Sequence, residues 1–187
     1  MLIVVVLFAT VLLRAVIVLF VVYLILPATS TCPRCAADLE MIRHPGAAAI
    51  IPFASDPKGP DPTILLIKQY RYATLDTLFE IPAGRLNPGE DPRGCAEREL
   101  LEEVGVSAGR VERLTTIWTT PGFTDERIHL FWAADLTTGQ HAREPDEFIE
   151  VTPKPLSEVI ALIRSGEICD AKTCLAILFV AGFTLAH

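Results

Sequence analysis

The stretch GRLNPGEDPRGCAERELLEEVGV, residues 84–106, contains a helix that is signalled at both ends. Asp91 is a good N-cap, and Pro92 suits the first helical position, where a backbone N–H would have no helical partner. Gly105 suits the left-handed position that follows a helix. The sequence therefore predicts a helix over residues 92–104, preceded by a polar loop over residues 85–90.

Three carboxylates lie on about one side of this predicted helix. Glu99 and Glu103 are spaced i, i+4, and Glu102 follows Glu99 by three positions. Like charges at this density destabilise a helix, and pairing of Arg98 with Glu102 offsets only part of that effect. A hard cation that takes several carboxylate oxygens explains the cluster better than a solvated face does. Mg²⁺ is the natural occupant, and Mn²⁺ is the alternative.

Apolar and β-branched runs on both sides of the helix predict strands. Residues 47–53 and 63–69 are predicted to form a hairpin across the turn at residues 55–62. Further strands are predicted at residues 78–81, 111–119, 128–134 and 148–152, and further helices at residues 156–164 and 171–183. Strands and helices mixed in this order predict an α/β sandwich with a mixed sheet.

The N-terminal segment differs from the rest of the chain. Residues 2–26 are apolar apart from Thr10 and Arg14, and as a helix they would span roughly 37 Å, more than the ~30 Å hydrocarbon core of a bilayer. Three interpretations are open: a membrane anchor, a signal peptide, or a segment upstream of a true start at Met41. With an anchor, the basic residues after it indicate a catalytic domain in the cytoplasm. The predicted organisation is an anchor or signal segment over residues 1–27, a polar linker over residues 28–39 and a catalytic domain over residues 40–187.

Charge and cysteine content exclude some classes of partner. The formal net charge of −7 excludes a nucleic-acid polymer, which needs clustered Lys and Arg, but allows a phosphorylated small molecule bound through cations. The five cysteines are scattered and odd in number, which argues against a secreted disulfide framework. Cys32 and Cys35 have the spacing of half a zinc knuckle or of a redox pair. No second half follows in the sequence, which favours two inert thiols.

Residues 84–106 also fit the Nudix box, G-x5-E-x7-R-E-U-x-E-E-x-G-U with U aliphatic, at every specified position. The matching residues are Gly84, Glu90, Arg98, Glu99, Leu100, Glu102, Glu103, Gly105 and Val106. The chain therefore resembles the Nudix hydrolases from about Glu40 to its C-terminus. The resemblance implies a Nudix-type α/β/α sandwich with a mixed β-sheet, here preceded by the N-terminal apolar helix.

The resemblance also implies roles for individual residues. Metal ligands would be Glu99, Glu103 and the carbonyl of Ala83, with Glu102 nearby, and the bound cations would activate the attacking water. Arg98 would orient the carboxylates and Glu90 would support the loop. Glu147 resembles the loop glutamate that ADP-ribose pyrophosphatases bring to the metals, as ligand and base, with Glu144 as the alternative. The implied catalytic set is Glu99, Glu102, Glu103 and Glu147.

Features outside the box resemble the ADP-ribose pyrophosphatase subgroup. Pro121 lies sixteen residues after Gly105, and QYR (69–71) and EIPAG (80–84) are similar to that subgroup's strand and its lead into the box. Arg71 would donate to a phosphate, and Glu126 would accept from a ribose hydroxyl. The substrate-binding candidates are Arg71, Glu80, Pro121 and Glu126.

The implied reaction is the hydrolysis of ADP-ribose to AMP and ribose 5-phosphate. The alternatives are another nucleoside diphosphate sugar or a dinucleotide as substrate, and a Nudix module that binds nucleotides without cleaving them. The N-terminal β region of many relatives is shortened in this chain, so a homodimer and the mode of adenine recognition stay open.

Overall fold

The computed structural model of the protein describes residues 28–139 and 149–185. The predicted apolar helix over residues 2–26, together with Glu144 and Glu147, lies outside the described residues. No helix within the described ranges is long and apolar enough to cross a membrane. The chain divides into two compact units, residues 1–43 and residues 44–187.

The described part of the first unit is a β-hairpin. Strands β1 (Ala28–Thr31) and β2 (Asp38–Met41) pair antiparallel, from Ala28 opposite Met41 to Thr31 opposite Asp38. The residues predicted as a polar linker, 28–39, therefore include β1 and the start of β2. The turn closes through Cys32 N–H donating to the Ala37 carbonyl at 2.8 Å and Ala36 N–H donating to the Cys32 carbonyl at 2.9 Å. These backbone bonds supply order that the polar composition did not predict.

The second unit contains seven described strands in two sheets. The strands are β3 (Ala47–Pro52), β4 (Thr63–Arg71), β5 (Asp76–Glu80), β6 (Ala83–Arg85), β7 (Val106–Trp118), β8 (Arg127–Thr138) and β9 (Ile149–Pro155). One sheet has the order β6-β3-β8-β7 and the other the order β5-β4-β9. The pairing of β3 with β8 is parallel and the other pairings are antiparallel. The predicted mixed sheet is thus confirmed.

The predicted hairpin between residues 47–53 and 63–69 is wrong, although both segments are strands. Strand β3 lies in one sheet and β4 in the other, and they are joined by an isolated bridge between Phe53 and Ile64. Strand β3 is buried along its whole length and has β6 on one edge and β8 on the other. Neither edge of β3 is left for β4, so β4 pairs with β5 and β9 instead.

Within the described residues, three helices pack against the sheets: α1 (Pro92–Glu99), α2 (Leu156–Ser165) and α3 (Ala171–Phe179). A π-helical turn, Leu100–Val104, continues α1, and a second, Val180–Thr184, continues α3. The predicted ends of the first helix are confirmed: Asp91 accepts from the N–H groups of Arg93 and Gly94, and Gly105 has φ 77°. The π-helical turn within this stretch was not predicted.

Strand β3 separates two apolar cores, which explains its continuous apolar sequence. Ala49 and Ile51 belong to the core that contains Ile177 of α3. Ala48 and Ile50, which point to the other face, belong to the core that contains Leu100. Successive side chains of a strand point to opposite faces, so a strand covered on both sides needs apolar residues at every position. Burial of this kind fixes β3 and, through it, the backbone beside the box.

Candidate active site

A cleft of about 1120 Å³ opens beside the box helix. Its walls combine the polar loop and helix of residues 84–106 with the ends of β4, β8 and α3. The residues that line the cleft include Arg71, Ala83, Gly84, Arg98, Glu99, Glu102, Glu103, Thr119, Glu126 and Lys172. Segments distant in sequence therefore meet at the box.

Arg98 holds the loop and the helix of the box together. Its guanidinium donates to Glu90 through Nε at 2.9 Å and Nη2 at 3.1 Å, and to the Arg85 carbonyl at 3.0 Å. Its Nη1 donates to Glu99 at 2.6 Å and to Glu102 at 2.8 Å. These partners raise the pKa of Arg98, chiefly through the hydrogen bond with Glu90. A planar fork of donors thus fixes three carboxylates at once.

Glu90 closes the polar loop before the helix. It accepts from the backbone N–H of Asn87 at 2.8 Å as well as from Arg98. The hydrogen bond from Arg98, followed by that from Asn87, lowers the pKa of Glu90 from 4.5 to about 2. Glu90 is therefore a charged support for the loop that follows β6.

Glu99 is buried against the backbone at the start of the box. Its residual exposure is 8%. A Cβ added to Gly84 would lie 1.7 Å from Oε1 of Glu99, a distance that real Cβ atoms do not show. The carboxylate occupies the space where any other residue at position 84 would carry its side chain. Glycine is required here for close approach.

The box helix also places Glu103 against β6, the strand that contains Gly84. It is 3% exposed, and its Oε2 accepts from the backbone N–H of Ala83 at 2.9 Å. Ala83 belongs to β6, which the sequence did not predict as a strand and which pairs with β3. The pairing holds Ala83 and Gly84 rigidly in front of the two buried carboxylates, Glu99 and Glu103.

The carboxylates of the cluster accept hydrogen bonds from Arg98 and from the backbone N–H of Ala83. Among residues 28–139 and 149–185, no three His, Cys, Asp or Glu side chains are arranged to hold a metal. The site nevertheless offers oxygen donors from Glu99, Glu102 and Glu103, and the carboxylate of Glu99 fills the space beside Gly84. Hard oxygen donors suit Mg²⁺ or Mn²⁺.

A second group of charges, which includes Arg71 and Lys172, also lines the cleft. Arg71 binds Glu80 in a bidentate manner, at 2.7 Å through Nε and 2.9 Å through Nη2. Lys172 also contacts Glu80 and lies 3.0 Å from Asp170. Burial raises the pKa of Glu80, but the hydrogen bond from Arg71 and the charge of Lys172 outweigh it, and the pKa is lowered overall. Two predicted substrate residues, Arg71 and Glu80, are thus bound to each other.

Lys172 is a cleft residue that the sequence did not predict. It follows the helix cap Asp170, and a lysine in the first turn of a helix carries no signal of its own. Its position depends on Glu80, which lies 92 residues away in sequence. Only the tertiary structure brings the two residues together.

The loop between β7 and β8 also contributes residues to the wall of the cleft. Glu126 accepts from Thr119 Oγ1 at 2.8 Å, and its carboxylate is 3.5 Å from Nε2 of His44. Both Thr119 and Glu126 line the cleft. Pro121 is exposed in the turn between them. Of the two predicted loop residues, Glu126 is among those that line the cleft.

Comparisons with known proteins identify a family and several relatives. The NUDIX domain family model matches residues 43–172. ADP-ribose pyrophosphatase of Bacillus subtilis (strain 168) is 40% identical over 147 residues, which cover 78% of this chain and 77% of that protein. GDP-mannose pyrophosphatase of Citrobacter koseri is 35% identical over 135 residues, 67% of this chain and 70% of that protein.

A solved structure shares the fold as well. The crystal structure of an ADP compounds hydrolase superposes with a TM-score of 0.64 at 25% sequence identity, covering 73% of this chain and 70% of that chain. Its similarity confirms the Nudix-type fold implied by the box. Because the family model spans most of the chain and the Bacillus enzyme matches it at 40% identity, this chain belongs to the Nudix hydrolase family.

Proposed function

We propose that this protein hydrolyses the diphosphate of ADP-ribose and releases AMP and ribose 5-phosphate. The observation that carries the proposal is the pair of nearly buried carboxylates, Glu99 and Glu103, at the wall of a cleft large enough for a nucleotide sugar. Ligand sites for small molecules usually measure about 300–1,000 Å³. The similarity to ADP-ribose pyrophosphatase supports the choice of substrate.

Mg²⁺, or alternatively Mn²⁺, would be held by Glu99, Glu103 and the carbonyl of Ala83, with Glu102 beside them. A bound divalent cation supplies charge neutralisation on the diphosphate and activates water. Arg98 keeps Glu99 and Glu102 in place through its two short hydrogen bonds. The N–H of Ala83 fixes one oxygen of Glu103, which limits the rotation of that carboxylate.

The chemical step proposed is a single displacement at phosphorus. The water oxygen forms a bond to one phosphorus, the bond from that phosphorus to the bridging oxygen breaks, and the water proton passes to a carboxylate. Glu147, with Glu144 as the alternative, is the proposed acceptor of that proton. The two product phosphates then separate with the nucleoside on one and the ribose on the other.

Residues on the other walls are proposed to position the substrate. The guanidinium of Arg71 has five N–H donors, two of which point to Glu80. Its remaining N–H groups are proposed to donate to a substrate phosphate, with Lys172 beside it. Glu126 is proposed to accept from a ribose hydroxyl, and Pro121 to shape the turn that carries Glu126. Glu80 is proposed to orient Arg71.

A second substrate has a specific observation in its favour. GDP-mannose pyrophosphatases of Citrobacter koseri and Escherichia coli match this chain at 35% and 33% identity. Another nucleoside diphosphate sugar is therefore the closest alternative to ADP-ribose. The non-catalytic module is less well supported, because binding alone does not need buried carboxylates at the box. The homodimer and the membrane anchor over residues 2–26 stay predictions.

The test is a substrate panel on the full chain in detergent micelles. ADP-ribose, GDP-mannose, NADH and a nucleoside triphosphate are each incubated with Mg²⁺, and products are separated by ion-exchange chromatography. We expect AMP and ribose 5-phosphate from ADP-ribose, ahead of the other three, and no product after addition of EDTA. Preferential cleavage of GDP-mannose would contradict ADP-ribose as the substrate but would support hydrolysis of a diphosphate. Binding of ADP-ribose without any product would overturn the proposal.

A further inference from the structure

The segment just before β3 carries a histidine that has no role in the proposed chemistry. His44 contacts the loop between β7 and β8 at two points. Its backbone N–H donates to Oδ1 of Asp125 at 2.7 Å, across 81 positions of sequence. Its imidazole Nε2 lies 3.5 Å from Oε1 of Glu126. One residue therefore contacts two successive side chains of the loop, and the second of them lines the cleft.

The imidazole of His44 has a defined pattern of donor and acceptor. The backbone N–H of Gly46 donates to its Nδ1 at 3.2 Å. A ring nitrogen that accepts a hydrogen bond carries no proton, so the neutral ring carries its proton on Nε2. Nε2 is the nitrogen that contacts Glu126. The carbonyl of Gly46 also accepts from the N–H of Leu86 at 3.1 Å, so the same segment is tied to the box loop.

Both carboxylate oxygens of Glu126 are therefore close to a donor. Oε2 accepts from Thr119 Oγ1 at 2.8 Å, and Oε1 contacts His44. The backbone N–H of Glu126 donates to Oγ1 of the buried Thr124 at 3.2 Å, which fixes the main chain as well. The side chains of His44 and Glu126 are 18% and 28% exposed, so their attraction is stronger than that of a fully solvated pair. Each carboxylate oxygen keeps a second lone pair for a ligand hydroxyl.

We propose that His44 is a positioning residue, which orients the Glu126 carboxylate for the ribose of the substrate. The inference rests on the proposed function, in which Glu126 accepts from a ribose hydroxyl. His44 lines a second pocket, of about 180 Å³, whereas Glu126 lines the cleft, so His44 acts on the substrate through Glu126. The contact between Nε2 and Oε1 is longer than an ordinary hydrogen bond, and hydrogen bonds of this kind often shorten in the complex with substrate.

Loss of the His44 donor should weaken substrate binding and leave the chemical step intact. A carboxylate held by two donors needs little further ordering when the substrate binds, whereas one held by Thr119 alone needs more. A contact that is equally strong in the ground state and the transition state changes KM and not kcat. His44→Phe keeps a planar ring but removes the donor. We expect KM for ADP-ribose to rise about fivefold, with kcat within about twofold of the parent.

Two further variants separate the donor from the rest of the side chain. His44→Gln places an amide N–H at about the position of Nε2, and it should keep KM within about twofold of the parent. His129→Gln is the matched control, because His129 lines the same small pocket but contacts Thr116 Oγ1, at 2.9 Å from its Nδ1. Its KM and kcat should both stay close to those of the parent. Steady-state kinetics on the full chain in detergent micelles measures both constants.

A double-mutant cycle distinguishes positioning from a general loss of stability. Glu126→Gln should raise KM by itself, and the addition of His44→Phe should raise it little further, because both changes remove one interaction. An independent readout is the NMR spectrum of the protein labelled with ¹⁵N in histidine. The Nε2 signal of His44 should shift in Glu126→Gln, since the charge beside it is lost, and the signals of His129 should not.

This inference and the proposed function fail in different ways. A parent that does not cleave ADP-ribose contradicts the proposed function, and the Nε2 signal of His44 then decides whether the contact with Glu126 exists. In a parent that cleaves ADP-ribose, an unchanged KM in His44→Phe would overturn the positioning role. So would KM increases that multiply in the double variant, or an Nε2 signal of His44 that is the same in the parent and in Glu126→Gln.

Discussion

The carboxylate of Glu99 occupies the space beside Gly84 in which a side chain would begin. An added Cβ at Gly84 would lie 1.7 Å from Oε1 of Glu99 and 2.1 Å from its carboxyl carbon. Glycine at this position and glutamate on the helix, fifteen residues later in the sequence, therefore depend on each other. The first prediction tests this relationship.

Gly84→Ala should displace the Glu99 carboxylate, because the clash falls on the end of that side chain rather than on backbone. We expect kcat to fall at least about tenfold, since displacement of a positioned group by about 1 Å is costly to catalysis. Steady-state kinetics measures kcat, and thermal unfolding checks that the variant is folded. Gly182→Ala is the control, because a Cβ there meets nothing within 4 Å. Unchanged kcat in Gly84→Ala would show that the position of Glu99 does not matter.

Glu103→Gln should abolish most turnover without unfolding the protein. Glutamine keeps an oxygen that can accept from Ala83 N–H but removes the negative charge that a cation needs. We expect kcat/KM to fall by at least ~100-fold, about 2.7 kcal/mol. Glu97→Gln, on the exposed part of the same helix, is the matched control and should stay within about twofold of the parent. Turnover within tenfold of the parent in Glu103→Gln would exclude Glu103 as a metal ligand.

Glu90 should make stability depend on pH in the acid range. Its pKa is about 2 in the folded protein against an ordinary value of 4.5, through Arg98 and then Asn87. The folded-state pKa is depressed, so its contribution is fully present above about pH 4.5 and is lost as pH falls to about 2. The difference in free energy of unfolding between the parent and Glu90→Gln should narrow over that range in urea titrations. A difference independent of pH would contradict the assignment, as would a carboxyl NMR titration centred near 4.5.

Glu80→Gln should destabilise the fold, because it leaves Arg71 and Lys172 without their shared carboxylate. Glu80 is 1% exposed, and breaking a buried ion pair from one side costs about 3–5 kcal/mol. The Arg71 side chain is 41% exposed, which places the expected loss near the lower end, about 3 kcal/mol. Chemical denaturation measures it. Glu97→Gln again provides the comparison, with an expected change within about 0.5 kcal/mol. An equal, small change in the free energy of unfolding of both variants would indicate that solvent screens the ion pairs of Glu80 with Arg71 and Lys172.

Local signals explain why the box helix was predicted with the correct ends. Asp91, Pro92 and Gly105 act on the backbone within a few residues of themselves, so their effects do not require the rest of the fold. The helix that begins after Asp170 and the helix that ends at Gly166 were predicted for the same reason. The strands were located from their apolar runs, but the partners of β3 and β4 were not.

Pairing and substrate contacts needed information that no local pattern carries. Strand β6 is three residues long and is a strand because β3 lies beside it. The sequence did not indicate that Arg71 donates in a bidentate manner to Glu80. Lys172 reaches the cleft because α3 packs where it does. Each of these depends on contacts between segments far apart in sequence.

The sequence by itself determined the family, the caps of the helices and the carboxylate cluster, because spacing along one helix places Glu99, Glu102 and Glu103 on about one side wherever that helix lies. The tertiary structure alone decided what those carboxylates face. The pairing of β6 with β3 sets Ala83 and Gly84 against them, and the docking of α3 brings Lys172 to Glu80. The physical reason is that side-chain periodicity is a local property of the backbone, whereas sheet order and helix docking follow from burying two apolar cores at once.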